Sequence, residues 1–277
     1  MDYLWISEIQ ISPIGPLTFR RMPSGLLHIM SYPFMPPTAM SGFLKRLLLI
    51  ADGKIWPGYD EDWFRPQDQG GEYTITLNPE YRPLGAFPAA GSWHIHKTSR
   101  HGPKNLAHVE FSQLLKSESK ENYQLHHWDY LFCDLLTGWV ASHDREALDA
   151  LQELKNYGGK AGKEGYLFVY RVVKPRQLFL QQGEYRPLGL VPQPCRPVSG
   201  TYYNLYGHHW DQNYTWTNGD KGGVVGYYQV GAWWNVATMS GPYWAMDDGV
   251  GFPASAPDAF LQGDVEPVWG GSHEPLG

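Results

Sequence analysis

The chain has 277 residues, 42% of them hydrophobic, enough for one large domain or two small ones around a sizeable core. Its 31 Gly and 22 Pro stand well above the usual combined share of about 12%, which favours many turns and short strands over a helical bundle. The net charge of −6 argues by itself against a nucleic-acid partner, but its distribution along the chain reverses that.

The start, MDYLWISEIQ, carries acids and no basic segment, so it does not read as a signal peptide. Residues 3–11 read as a first strand with Tyr3, Trp5, Ile9 and Ile11 on one face. Leu4 and Ile6 on the other face predict cover from both sides. A Pro/Gly-punctuated connection through Arg20 and Arg21 leads to YPFMPPTAMSGFLKRLLLI, residues 32–50. Pro33, Pro36 and Pro37 hold the approach extended, and Thr38 is the expected N-cap. Met40, Phe43, Leu44, Leu47 and Leu48 then make one helical stripe, with Lys45 and Arg46 off it. Gly42 costs about 1 kcal/mol relative to Ala inside a helix. It marks either close approach of a backbone or anionic ligand to the first turn, or a core helix with a tolerated glycine.

Residues 72–85 alternate as a strand around Tyr73, Ile75 and Leu77. The stretch 93–127 then holds six of the eleven histidines, with five bases against three acids. It reads as an insertion projecting from the sheet, polar at its ends with a short amphipathic middle. His94, His96 and His101 are metal ligands by type, but no Cys or carboxylate lies at a ligand spacing, so a phosphate-facing loop is the better reading and no metal is expected.

WDYLFCDLLTGWV, residues 128–140, reads as a buried strand. The following helix carries Ala147, Ala150, Leu151 and Leu154, with Gly158 placed to end it. The segment YGGKAGKEG, residues 157–165, comes next and runs straight into the strand YLFVYRVV. Its glycines permit close backbone approach, and Lys160 and Lys163 between them suit a phosphate cradle. It is not a Walker motif, lying between helix and strand without G-K-[ST], and a flexible surface loop is the competing reading. The order strand, helix, strand, insertion, strand, helix, strand is the ferredoxin-like β-α-β-β-α-β arrangement, an α+β fold.

From 176 the chain is β-rich, aromatic and acidic. Beyond Thr201 there is one base, Lys221, against eight acids, so nearly all the negative charge lies there. The near-neutral remainder is free to carry a local basic groove, and the groove sets phosphate binding. Trp233, Trp234, Tyr243 and Trp244 suit either a protein contact or the core.

Taken together, the proline-led helix and the later helix–GGKAGKEG–strand resemble the RAMP superfamily of CRISPR-associated proteins. The pattern P-F-x-P-P-T-x-x-x-G-x-L at Pro33–Leu44 is most similar to CRISPR-associated protein five, the subunit that caps the five-prime handle of guide RNA in Cascade-type complexes. This resemblance implies a ferredoxin-like (RRM-like) RAMP domain over 1–175, with a thumb at about 93–127, and a β-rich region over 176–277 packed on it. It implies a non-catalytic RNA-binding role with no cofactor; the two unframed cysteines, Cys133 and Cys195, and the lack of an apolar run of about 18 residues predict a cytoplasmic setting with no membrane. The implied partners are the guide RNA, target DNA through the thumb, and the neighbouring backbone and large subunits. The RNA-facing residues implied are Arg20, Arg21, Ser41, Gly42, Lys45, Arg46, His94, His96, Lys97, Arg100, Lys104, Gly159, Lys160, Gly162 and Lys163. One branch of the family is a metal-independent endoribonuclease, and this is the alternative. No catalytic residue is assigned, because the sequence does not place three suitable groups together. A Trp-rich carbohydrate-binding domain is the alternative from another class, but adjacent Asp247 and Asp248 suit glycoside chemistry poorly.

Overall fold

The computed structural model describes residues 3–21, 28–53, 80–103, 123–162, 165–210 and 224–260. Everything is built on β1 (Tyr3–Pro13), whose Leu4, Ile6, Ile9 and Ile11 are all buried. One edge of β1 pairs antiparallel with β6 (Leu136–Ser142). The other edge is shared. β8 (Tyr166–Val172) lies opposite Ile9–Pro13, and β9 (Arg176–Pro187) lies opposite Tyr3–Ile6. β3 (Arg82–Pro88) closes the far side of β6.

Helix α1 (Pro37–Ala51) connects β1 to β3, and α2 (Arg145–Ala150) with a 3-10 turn at Leu151–Leu154 connects β6 to β8. The order β8-β1-β6-β3 is ferredoxin-like, as the sequence led one to expect. The protein is α+β, mostly strands with few helices, in a curled sheet. Among the described residues no helix is long and apolar enough to cross a membrane.

The face of the sheet that receives α1 is fixed by Gly138. A methyl group there would lie 2.8 Å from Met40 Cε and 2.8 Å from Ala86 Cβ, so only glycine lets the helix approach this closely. Met40, Phe43, Leu44 and Leu47 are buried, as the stripe predicts. The helix begins earlier than expected, however. Pro36 holds the N-cap position without a side-chain hydrogen bond, and Pro37 opens the first turn, where its fixed φ and missing N–H cost nothing. Thr38 is therefore not the cap; its hydroxyl donates to the Tyr206 carbonyl at 3.4 Å.

The extended lead into α1 pairs with β3, because Met35 and Ala86 exchange two backbone hydrogen bonds of 2.9 Å. Phe34 sits at the centre of an aromatic cluster, with the rings of Tyr32, Phe87, Tyr203 and Trp234 all at 5.2–5.5 Å or stacked nearby. Tyr203 and Trp234 belong to β11 (Thr201–Trp210) and β12 (Val224–Trp234), which pair with each other and, through β12, with β10 (Val191–Pro192). β13 (Met239–Asp247) and β14 (Val250–Pro253) extend the main sheet beyond β9, and the short α3 (Ala256–Ala259) follows. Tyr243 and Trp244 are buried and Trp234 packs on the core, so these rings fill the interior. The hexapeptide EYRPLG occurs twice, at 80–85 and 184–189, and the final glycines of both copies approach one ring. A methyl on Gly85 or Gly189 would come within 3.2 or 3.3 Å of Phe87.

The strand expected at 72–85 is centred on Tyr73, Ile75 and Leu77, which lie outside the described residues; within the described part, β3 covers Arg82–Pro88. Two other expectations need correction. Residues 128–140 are two strands rather than one, since β5 (Tyr123–Cys133) ends before Asp134 and β6 begins at Leu136. Gly158 does not end the second helical segment. Asn156 takes the left-handed conformation (φ 70°), and Gly158 opens β7 (Gly158–Lys160). Asparagine tolerates that region through its short polar side chain.

Candidate nucleic-acid interface

The glycine-rich segment is a hairpin. β7 pairs antiparallel with β8 in the register Gly158↔Phe168, Gly159↔Leu167 and Lys160↔Tyr166. Leu167 is buried and Lys160 and Tyr166 are exposed. Residues directly opposite in such a pair point to the same face, and successive residues alternate. Gly159 therefore faces α1, where a methyl group would lie 3.7 Å from Arg46 Cζ and 3.8 Å from Leu47 Cδ2. Lys160 points to the opposite face beside Tyr166. Among the described residues β7 pairs only with β8, so its outer edge presents alternate backbone N–H groups. Arg46 flanks that edge on the helix side and Lys160 on the other.

The turn of the hairpin is seated on a strap that sequence reasoning passed over as a connection. Gly162 (φ +71°) lies so close to Leu17–Arg21 that a methyl would come 2.6 Å from the Thr18 carbonyl oxygen. Gly165 (φ +131°) meets Leu17 in the same way. The opposite side of the strap joins β5. Leu17 and Leu131 exchange backbone hydrogen bonds of 3.0 and 2.8 Å, and the Thr18 hydroxyl donates to the Asp129 carbonyl at 3.0 Å. Leu17, Thr18 and Phe19 are buried while Arg20 is exposed. The Leu-Phe alternation followed by two arginines was the legible signal.

Arg21 differs from Arg20. Its guanidinium lies 5.2 Å from the Tyr203 ring and 6.0 Å from Tyr32, a cation–π arrangement that holds it against the aromatic cluster. Burial pushes the Tyr203 phenol up, and the Arg21 charge lowers it in part. Ser41 is fully buried, so its hydroxyl does not meet solvent as expected. Gly42 is half-buried and, with the helix starting at Pro37, falls in the second turn. Its N–H is spent within the helix, which removes the anion-binding reading of that position. Lys45 and Arg46 are half-buried.

The projecting segment is a hairpin of β4 (Trp93–Pro103) and β5, paired from Trp93↔Cys133 to Pro103↔Tyr123. β2 (His28–Ile29) pairs parallel beside β5. His94 stacks on Phe132 at 5.0 Å and His96 meets the same ring edge-on at 6.1 Å. Lys97, one residue on, is exposed on the other face opposite Asp129. On that face the His28 Nε2 lies 2.9 Å from Asp129 Oδ1, and the Ser99 hydroxyl lies 3.0 Å from His127 Nδ1. The expected residues of this hairpin are thus split between two faces. Arg100 lies within β4, with its side chain outside the described ones. Lys104, Lys163 and the amphipathic middle of the insertion also lie outside the described residues. Among the described residues no group of three or more His, Cys, Asp or Glu is arranged to hold a metal. Burial, reinforced by Asp134, pushes the Cys133 thiol up to about 12, so it stays a thiol near neutral pH and offers no nucleophile.

No family model and no curated protein matches this chain. Among solved structures it is similar to a chain of the Type III-B Cmr-beta complex, determined by cryo-EM bound to cognate target RNA. That similarity covers 85% of this chain and 86% of the other, at 14% identity and a TM-score of 0.40, too low to carry an argument about function.

Proposed function

We propose that this chain is a non-catalytic RNA-binding subunit of a CRISPR ribonucleoprotein of the Cascade type. In this role it caps the five-prime handle of the guide RNA and contacts the neighbouring backbone and large subunits. The observation that carries the reading is the edge of β7 that no other described strand pairs with, with Arg46 3.7 Å from the Gly159 methyl position on one side and exposed Lys160 on the other. A ribose-phosphate strand laid along that edge meets backbone N–H donors flanked by two cations, which is how glycine-rich turns hold phosphates. Arg20, on the strap beneath the hairpin turn, extends the positive surface. The handle-capping role itself rests on the resemblance of Pro33–Leu44 and of the glycine-rich loop.

Arg46→Glu and Lys160→Glu test this. Each is expected to weaken binding of single-stranded RNA about 10-fold or more, the scale of one lost charge-assisted contact, while the melting temperature stays near that of the parent. Each should also flatten the salt dependence by about 0.7 in the slope of log K against log salt. Unchanged affinity in both variants, with folding intact, removes the β7 edge from the RNA path.

A further inference from the structure

The sheet face turned away from α1 carries features that the β7 edge leaves unused. Tyr166 and Tyr170 on β8 are 55% and 56% exposed. Phe168 lies between them, half-buried, and its cross-strand neighbour is Gly158. A methyl on Gly158 would lie 3.0 Å from Phe168 Cβ and 2.8 Å from the Leu167 carbonyl oxygen. Glycine there leaves the Phe168 ring without a side chain opposite it.

The β1–β8 register shifts between Gln10 and Ile11, so that Ile11 faces Val169 and Gln10 faces Arg171. Tyr170 is the extra residue of this bulge, and such bulges re-aim side chains. Tyr170 and Arg171 are therefore exposed in succession.

Among the described residues, three charges near these rings are positive. Lys160 is directly opposite Tyr166, Arg171 follows Tyr170, and Lys174 is exposed just beyond the strand. The acid on this part of β1 is Glu8, half-buried and accepting a 3.0 Å hydrogen bond from Gln10 Nε2. Tyr166 and Phe168 are two residues apart on one strand, about 6.7 Å at the usual rise.

We infer that Tyr166, Phe168 and Tyr170, flanked by Lys160 and Arg171, form a base-stacking platform for single-stranded RNA. Open rings interleaved with cations match a ligand of flat bases on an anionic backbone. An apolar protein surface would gain nothing from the flanking charges. This inference rests on the RNA-binding reading above but adds a second contact, made to bases rather than phosphates. A strand that passes around the β7 edge at Lys160 continues onto this face.

The test compares a short oligouridine with an abasic RNA strand of equal length, using the full chain. Tyr166→Ala and Tyr170→Ala are each expected to weaken oligouridine binding about 5- to 150-fold. Affinity for the abasic strand and the salt slope should stay as in the parent. Tyr166→Phe keeps the ring and should retain binding. If both alanine variants bind oligouridine like the parent while Arg46→Glu still weakens it, the platform is overturned and the RNA reading survives. If the folded parent binds no RNA at all, both fall together.

Discussion

Phe34→Ala lowers the free energy of unfolding by about 3–5 kcal/mol, the range for emptying a large buried aromatic site. Phe34 is fully buried, and four rings from three parts of the chain surround it: Tyr32 in the lead to α1, Phe87 on β3, and Tyr203 and Trp234 on the later strands. None of these elements closes the space without moving a sheet, so the cavity persists. The loss should appear in urea as a lower midpoint with little change in slope. A loss below about 1 kcal/mol would mean that the later strands do not pack on the helix lead as described. Because Tyr203 also carries the Arg21 guanidinium at 5.2 Å, the same substitution is expected to loosen the strap.

Gly162→Ala is the second large effect. The residue holds φ +71° and a methyl would come 2.6 Å from a backbone oxygen, Thr18 O, so neither the turn nor the strap accommodates it. The two penalties together amount to about 2–5 kcal/mol. Gly53 supplies the control, since it holds φ +67° with nothing within 4 Å of a methyl. Gly53→Ala should cost only the conformational part, about 1–2 kcal/mol. The difference between the two variants, measured by thermal or denaturant unfolding, reports the seating of the hairpin on the strap. Equal losses would show that Gly162 is kept for its backbone angle alone.

The sequence revealed the ferredoxin-like order because its long elements carry strong patterns: the i, i+3, i+4, i+7 stripe of α1 and the apolar runs of β1 and β8. Boundaries were less legible where proline and asparagine act in ways that a cap or glycine rule misses, as at Pro37 and Asn156. The candidate site was legible by composition but not by direction. Lys160 and Arg46 were both read as phosphate-facing, yet only the β7–β8 register reveals that they flank an edge from opposite faces. Register depends on long-range pairing, which no local pattern encodes. Ser41 and Arg21 show the same limit. A polar or charged residue in the right stretch ends up under the sheet or against Tyr203 because packing elsewhere decides its orientation. The strap at Leu17–Arg21 has isolated bridges at Leu17, Thr18 and Arg20 and no ladder, so its Leu-Phe alternation was the one local pattern to read.

Binding of the unmodified protein to single-stranded RNA across a range of salt concentrations tests the central claim most directly. A strand held by Arg46, Lys160 and a third cation predicts a negative slope of log K against log salt of about 2, at roughly 0.7 per phosphate contact. A folded protein that binds no RNA, or binds with a flat salt dependence, would contradict the assignment.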